Sequence, residues 1–271
     1  MTTRAKAPRR RGRPKASLKG VPVASLPAST GSGGPGMGAD GDSLSRIQER
    51  NRARLLEAAL AEFSRHGYSG TTLDRLAAAA GMSKSNLLYY FSSKSDLYEA
   101  SLAHILEVWL GPLRRLDPEG DPARELAAYI SQKMKMSQEA PDASRLFANE
   151  VMSGAPRIRR VLETDLKTLV EDKARVIRHW VETGRITSVD PVHLILSIWA
   201  ITQHYADFQV QILAVTGKDL SDPAFRAAAE TSVLHLVLSS LGLTVPAEGV
   251  GEGEVAGEGI ADREAESEVP R

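Results

Sequence analysis

From Arg46 to Leu243 the apolar residues recur at three- and four-residue spacing, and no stretch alternates in the way a strand would. The first amphipathic segment covers about 46–66. Leu55, Leu56, Ala59, Leu60 and Phe63 form its buried stripe, and Gly67 ends it. Leu73, Leu76, Ala77 and Ala80 make a second short face, capped by Thr71 or Thr72 and ended by Gly81. Ser83 is placed to cap a third helix, whose Leu87, Leu88 and Phe91 are read as facing inward. Ser93 or Ser95 starts a fourth that continues through Trp109, where Gly111-Pro112 is expected to kink or break it. Further helices are expected at about 122–139, 142–153, 157–183, 191–215 and 223–241. Asp121-Pro122 is a cap followed by a proline in the first turn, and Pro141, Gly154-Ala155-Pro156, Gly184 and two Asp-Pro pairs mark the breaks. The fold class is therefore all-α, with nine helices.

The second and third helices, joined at Gly81, have helix-turn-helix spacing. If the third enters a DNA groove, the residues left to meet nucleic acid are Lys84, Ser85, Asn86, Tyr89 and Tyr90, with Thr71, Thr72 and Ser83 at the helix starts. Lys94 lies beside the next helix N-terminus, where a phosphate is favoured. A plain pair of packed helices would use the same serines only as caps.

Composition adds two unlike ends. Residues 1–41 hold eight Lys or Arg against one Asp, while residues 247–271 hold eight acidic against two basic residues, within a chain of zero formal charge. Both ends lack periodic apolar residues and are expected to be disordered. Arg11-Gly12-Arg13-Pro14 resembles the core of an AT-hook, with Arg11 and Arg13 reaching into a minor groove; a solvated basic tail is the other reading. The acidic tail could compete with DNA for this arm or simply aid solubility. The organisation expected is a basic arm (1–43), a DNA-binding domain (44–93), a helical effector and dimerisation domain (94–243) and an acidic tail (244–271).

Other chemistries find little support. The chain has no cysteine, so thiolate metal sites, disulfides and cysteine nucleophiles are excluded. His66, His104, His179, His193, His204 and His235 form no metal-binding pair, and no glycine-rich phosphate loop precedes a helix. No enzyme activity, metal or cofactor is expected. Nor is a membrane span or a secretory signal, so a cytoplasmic protein fits.

One helix carries a second signal. In Ile198-Trp-Ala-Ile-Thr-Gln-His-Tyr-Ala-Asp-Phe, Trp199, Gln203 and Ala206 share a face, and a glutamine in an apolar helix needs a partner. That partner could be a planar ligand, a neighbouring helix or a second subunit. Asn149 and Glu150 raise the same question on another helix, where simple exposure would also answer it.

The stretch 67–97 resembles the DNA-binding signature of the TetR family of bacterial repressors. The Gly-x-x-x-Thr-Thr start, the Ala-Gly-x-Ser-Lys turn, the Tyr-Tyr-Phe end and the following Ser-Lys-x-x-Leu carry the likeness; Leu76, Met82 and Leu88 depart from it. Asn86-Leu-Leu-Tyr-Tyr-Phe, Ile105-Leu-Glu-Val-Trp-Leu-Gly-Pro-Leu, Ala143-Ser-Arg-Leu-Phe, Gly154-Ala-Pro and the Trp199 segment are similar to a pyrimidine-sensing subgroup of that family, which shares Leu88. The resemblance implies a homodimeric repressor that binds a DNA operator and releases it on binding uracil or thymine. It implies a ligand site at Trp109, Asn149, Trp199 and Gln203, with the indoles flanking a ring and the amide matching its N–H and C=O. The alternative is the same fold answering to a purine, a nitrogen metabolite or a drug-like molecule.

Overall fold

The computed structural model describes residues 39–246, with side chains from residue 46 onward, and among these it is built of helices and connecting turns alone. The basic arm with Arg11 and Arg13, and the acidic tail beyond residue 246, lie outside the described residues.

Helix α1 (Ala39–Gly70) starts earlier than the periodicity indicated. Its regular part ends at Gly67, whose φ of 66° requires the left-handed conformation glycine tolerates. Leu55, Leu56, Ala59, Leu60 and Phe63 are all buried, as the stripe predicts. Helix α2 (Leu73–Ala79) is capped by Thr72, whose hydroxyl accepts from Arg75 N at 3.3 Å. Gly81 turns the chain with φ 65°, and Ser83 caps α3 (Lys84–Tyr90) by accepting from Asn86 N at 3.1 Å. Of the two candidate caps for α4 (Lys94–Arg114), Ser93 serves, accepting from Asp96 N at 3.1 Å.

The expected break at Gly111-Pro112 does not occur: α4 continues to Arg114 with Pro112 inside. The proline sits two residues from the end, and Leu110, Leu113 and Leu116 anchor this last turn in the core.

Asp121 caps α5 (Pro122–Glu139), and α6 (Pro141–Met152) follows directly. The helix expected over 157–183 is interrupted: α7 (Arg159–Val161) passes into a π-helical segment, Leu162–Leu166, before α8 (Lys167–Glu182). The helix expected over 191–215 is also broken, into α9 (Pro191–Asp207) and α10 (Gln209–Thr216), before α11 (Pro223–Ser240). Neither break has glycine or proline. At Phe208, Arg145 of α6 donates to Ala206 O at 3.0 Å and to Gln209 Oε1 at 3.2 Å, while Ser144 bonds the Asp207 carboxylate. Tertiary partners thus hold the end of α9. The nine expected helices are eleven α segments and one π segment among the described residues.

Two hydrophobic cores result. One joins α1–α3 to Leu97, Tyr98, Leu102, Ile105 and Trp109 of α4 and to Ala143 and Leu146 of α6. The other gathers Leu106, Leu110 and Leu113 of α4 with Leu126 and Ile130 of α5, Ile177 and Trp180 of α8, Ile198 of α9 and Leu234 of α11. The boundary expected between 93 and 94 falls at the start of a helix that both cores share.

Candidate functional site

Two sites emerge, one at α3 and one between α4, α5 and α9. On α3, Leu87 and Phe91 are buried and hold the helix against α1 and α2. Lys84, Ser85, Asn86 and Tyr89 are exposed with Thr72 and Ser83, leaving one continuous polar surface. Lys84 pairs with Asp74 at 3.1 Å, whereas the Ser85 and Asn86 side chains make no hydrogen bond among the described residues. Tyr89 is 71% exposed and its hydroxyl accepts from Gln48 at 3.3 Å. Tyr90 is half-buried and accepts from Asn51 at 3.1 Å. Gln48 and Asn51 therefore brace the tyrosine pair from α1, a role that periodicity alone did not single out.

Three sequence expectations need correction here. Leu88 was placed on the inward face but is 38% exposed, because Leu87 and Phe91 already fill the space beneath α3. Thr71 is buried rather than aimed at DNA: its hydroxyl donates to Gly67 O at 2.8 Å and closes the α1–α2 turn. Lys94 is half-buried, and its ammonium donates to Tyr68 O at 2.9 Å and Thr71 O at 3.0 Å while lying 4.3 Å above the Tyr68 ring. Those carbonyls take the place that a phosphate was expected to hold.

The second site brings together Trp109 of α4, Trp199 and Gln203 of α9, and a residue the sequence reading missed, Lys133 of α5. Leu106, Leu110, Phe147 and the π-segment residue Leu166 complete a narrow cavity of about 40 Å³. Trp199 donates its indole N–H to the Tyr129 hydroxyl at 2.6 Å, which fixes the plane of the ring and leaves its face available. Trp109 leans on Phe147 at 6.0 Å, and no ring contact joins the two indoles. Gln203 is half-buried and makes no side-chain hydrogen bond among the described residues.

Lys133 is 4% exposed and its Nζ lies 4.7 Å over the Trp109 ring. It has neither a hydrogen bond nor an ion pair among the described residues. Burial pushes its amine down to about 8, and Asp207 draws it partly back up. Burial raises the Asp207 carboxyl in turn, opposed by Ser144, Arg145 and Lys133. Burial also raises the Tyr129 phenol, so it stays protonated. Nothing in the sequence pattern marked Lys133 as different from its exposed neighbour Lys135.

Asn149 does not join this site. It is exposed and lines a wider cleft of about 340 Å³ between α1, α4 and α6, with Ser64, Tyr68, Tyr98, Glu150 and Arg157. The cleft is larger, but its charged walls satisfy one another. Glu150 accepts from Tyr98 Oη at 3.2 Å and Arg157 N at 2.9 Å, and the Arg157 guanidinium lies 3.9 Å over the Tyr68 ring. Ser64 Oγ, buried on the wall of this cleft, has no hydrogen-bond partner among the described residues, so both cavities hold an unpartnered polar group; only the narrow one sets such groups beside two indoles.

Among the described residues no helix is long and apolar enough to cross a membrane, and no group of acidic or histidine side chains is arranged to hold a metal ion.

Residues 55–101 match the model for bacterial regulatory proteins of the tetR family, and residues 102–244 match the model for the C-terminal region of YcdC-like proteins. The transcriptional regulator RutR of Escherichia coli strain K12 is 43% identical over 197 residues, covering 73% of this chain and 93% of that protein. Among solved structures, SCO4942 from Streptomyces coelicolor superposes with a TM-score of 0.56 at 29% identity, covering 69% of this chain and 97% of that one. AibR, solved with isovaleryl coenzyme A and operator DNA, superposes with a TM-score of 0.54 at 16% identity, covering 72% of this chain and 99% of that one, and supports the fold alone.

Proposed function

This chain belongs to the TetR family of bacterial transcriptional regulators and is RutR-like within it, and from that premise we propose that it is a homodimeric repressor released from its operator by uracil or a related pyrimidine. The observation that carries the effector reading is the pairing of two indoles with an unbonded glutamine amide in one cavity. A pyrimidine ring offers two apolar faces, and its edge sets an N–H donor beside a carbonyl acceptor, which one amide matches with two hydrogen bonds. A ring of that size enters only if Trp109, Leu166 or Phe147 gives way, so binding is tied to a shift of α4, of the π segment or of α6.

On the DNA side, Ser85 and Asn86 of α3 are free to meet base edges, and Lys84, exposed and paired with Asp74, can exchange that partner for a phosphate, with Tyr89 at the helix end. Thr72 and Ser83 stand at exposed helix starts beside them. A dimer would hold two such helices about 34–36 Å apart, one turn of DNA. The dimer surface we assign is the C-terminal face carrying Val192 and Leu196 of α9, Val210 and Val215 of α10 and Leu236 of α11, all exposed apolar residues. We assign the protein no catalytic role.

The reading is tested with purified full-length protein and its operator. Uracil at micromolar to millimolar concentration should raise the melting temperature and weaken operator binding, and no change in either overturns the assignment. The wider cleft beside Asn149 favours a second reading, in which a different small molecule is the effector. Gln203→Leu separates the two: it removes the response under the first and leaves it intact under the second.

A further inference from the structure

We propose that the wider cleft between α1, α4 and α6 is a second ligand site, a cage for a small organic guanidinium whose resting occupant is the chain's own Arg157. The rings of Tyr68 and Tyr98 lie 5.0 Å apart at 70°, and Phe63 backs both, 4.8 Å from Tyr98 and 6.2 Å from Tyr68. The Arg157 guanidinium sits in this aromatic corner, 3.9 Å over the Tyr68 ring and 5.4 Å from that of Tyr98. Its Nη1 is 3.8 Å from the Glu150 carboxylate. Aromatic faces beside a buried carboxylate are complementary to a cation with planar or apolar surface.

Arg157 is an exchangeable occupant rather than a fixed part of the core. Its side chain is 29% exposed against 4% for Glu150, so the cage meets solvent at the arginine, and about 340 Å³ of cleft adjoins it. The loop that delivers it carries Ala155 at φ 51°, a left-handed conformation that costs a residue with a Cβ, so the backbone does little to hold the guanidinium in place. The same wall carries Ser64 Oγ, buried and without a partner among the described residues, as a further acceptor for a ligand N–H. The chemistry of exchange selects the newcomer. Glu150 accepts from Tyr98 Oη and from the Arg157 backbone N–H, but both donors are neutral. Removing the guanidinium alone would leave a buried carboxylate without counter-charge, so only another cation can replace it. Arg145, the other cation of the wall, is already paired with Asp142. A planar fork that stacks on Tyr68 while donating to Glu150 is what a monoalkyl guanidinium offers. A short loop holds Arg157 at high effective concentration, which weakens any competitor until the arginine is removed.

Calorimetric titration and thermal denaturation of the full-length protein test this, with butylguanidinium as probe and neutral butylurea, of the same shape, as control. The wild type should bind butylguanidinium at millimolar concentration and ignore butylurea. Arg157→Ala should bind butylguanidinium at least tenfold tighter, and its lowered melting temperature should recover with that probe but not with butylurea. Glu150→Gln should lose the binding. A wild type that binds neither compound, or both equally, overturns the proposal, as does an Arg157→Ala protein that binds butylguanidinium no tighter. Where a variant does not fold, the wild-type comparison of the two compounds decides alone. Uracil has no part in the test, so failure here leaves the pyrimidine reading standing, and failure of that reading leaves this proposal standing.

Discussion

Lys94→Met distinguishes a lysine that builds the DNA-reading unit from one that merely contacts DNA. The Lys94 ammonium donates to Tyr68 O at 2.9 Å and Thr71 O at 3.0 Å, the two carbonyls flanking the α1–α2 junction, and lies 4.3 Å over the Tyr68 ring. Hydrogen bonds from a charged donor are worth about 1.5–3 kcal/mol each, and a partly exposed cation–aromatic contact about 0.5–1 kcal/mol. Lys94 is half-buried, so water recovers part of the loss, and methionine keeps the packing of the stem. A net cost of about 2–3 kcal/mol follows from the low end of these values. At about 2–4 °C per kcal/mol for a chain of this size, the melting temperature should fall by roughly 4–12 °C.

The assay is thermal denaturation by circular dichroism, with operator binding measured by fluorescence anisotropy at several salt concentrations. Lys84→Met is the companion: its ammonium is exposed and paired only with Asp74, so it should weaken DNA binding and leave melting nearly unchanged. A Lys94→Met protein that melts within about 1 °C of wild type, and whose salt slope falls by about one, would refute the reasoning, since that is the signature of a lost phosphate contact.

Three further outcomes are expected. The folded Lys133 amine titrates near 8, below the 10.5 of an unfolded lysine, so the unfolded chain binds more protons between those values and stability should rise with pH there. The gain amounts to about 3 kcal/mol at full titration. Tyr98, pushed up to about 12, begins to oppose it above pH 10, and urea unfolding of Lys133→Met should lack the rise. Gln203→Leu should abolish the uracil-induced rise in melting temperature while leaving operator affinity without ligand within about threefold, as titration of both ligands would show. Leu236→Glu places a charge on a residue 63% exposed in the single chain but covered in the proposed dimer, and sedimentation should find monomers with weakened operator binding.

What was legible in the sequence was what is local. Thr72, Ser83 and Asp121 each cap the helix they precede, because a side-chain oxygen and an N–H three residues on meet whatever the rest of the fold does. The apolar stripe of α1 was readable for the same reason. The break at Phe208 was not, since its cause is Arg145 and Ser144, some 60 residues earlier in the chain. The π segment at Leu162–Leu166 likewise has no glycine or proline to announce it. Trp109, Trp199 and Gln203 could be named as a group through resemblance, but Lys133 could not: a lysine on a mixed helix face has no address until α4 and α9 close over it. Asn149 failed for the converse reason, since its helix turns it toward solvent.

These placements bear on how the two sites could communicate. Trp109 packs in the same core as Leu87 of α3 and Leu97 at the start of α4, whereas Leu110, one residue on, packs in the core of α5, α8, α9 and α11. The helix is thus a member of both cores, and about 22 Å of it separates Lys94 from Trp109 at 1.5 Å per residue. Lys94 ties its first turn to the carbonyls entering α2, so the DNA-reading unit cannot shift without α4. An effector that forces Trp109 aside therefore acts on a wall common to both sites. Close-packed cores respond to such a displacement by moving helices as units rather than by local compression. A coupling of about 1–3 kcal/mol requires only that the effector bind that much better to the arrangement with α4 displaced. The narrowness of the cavity favours this, since a cavity already open to the ring would give binding no reason to prefer one position of α4 over another.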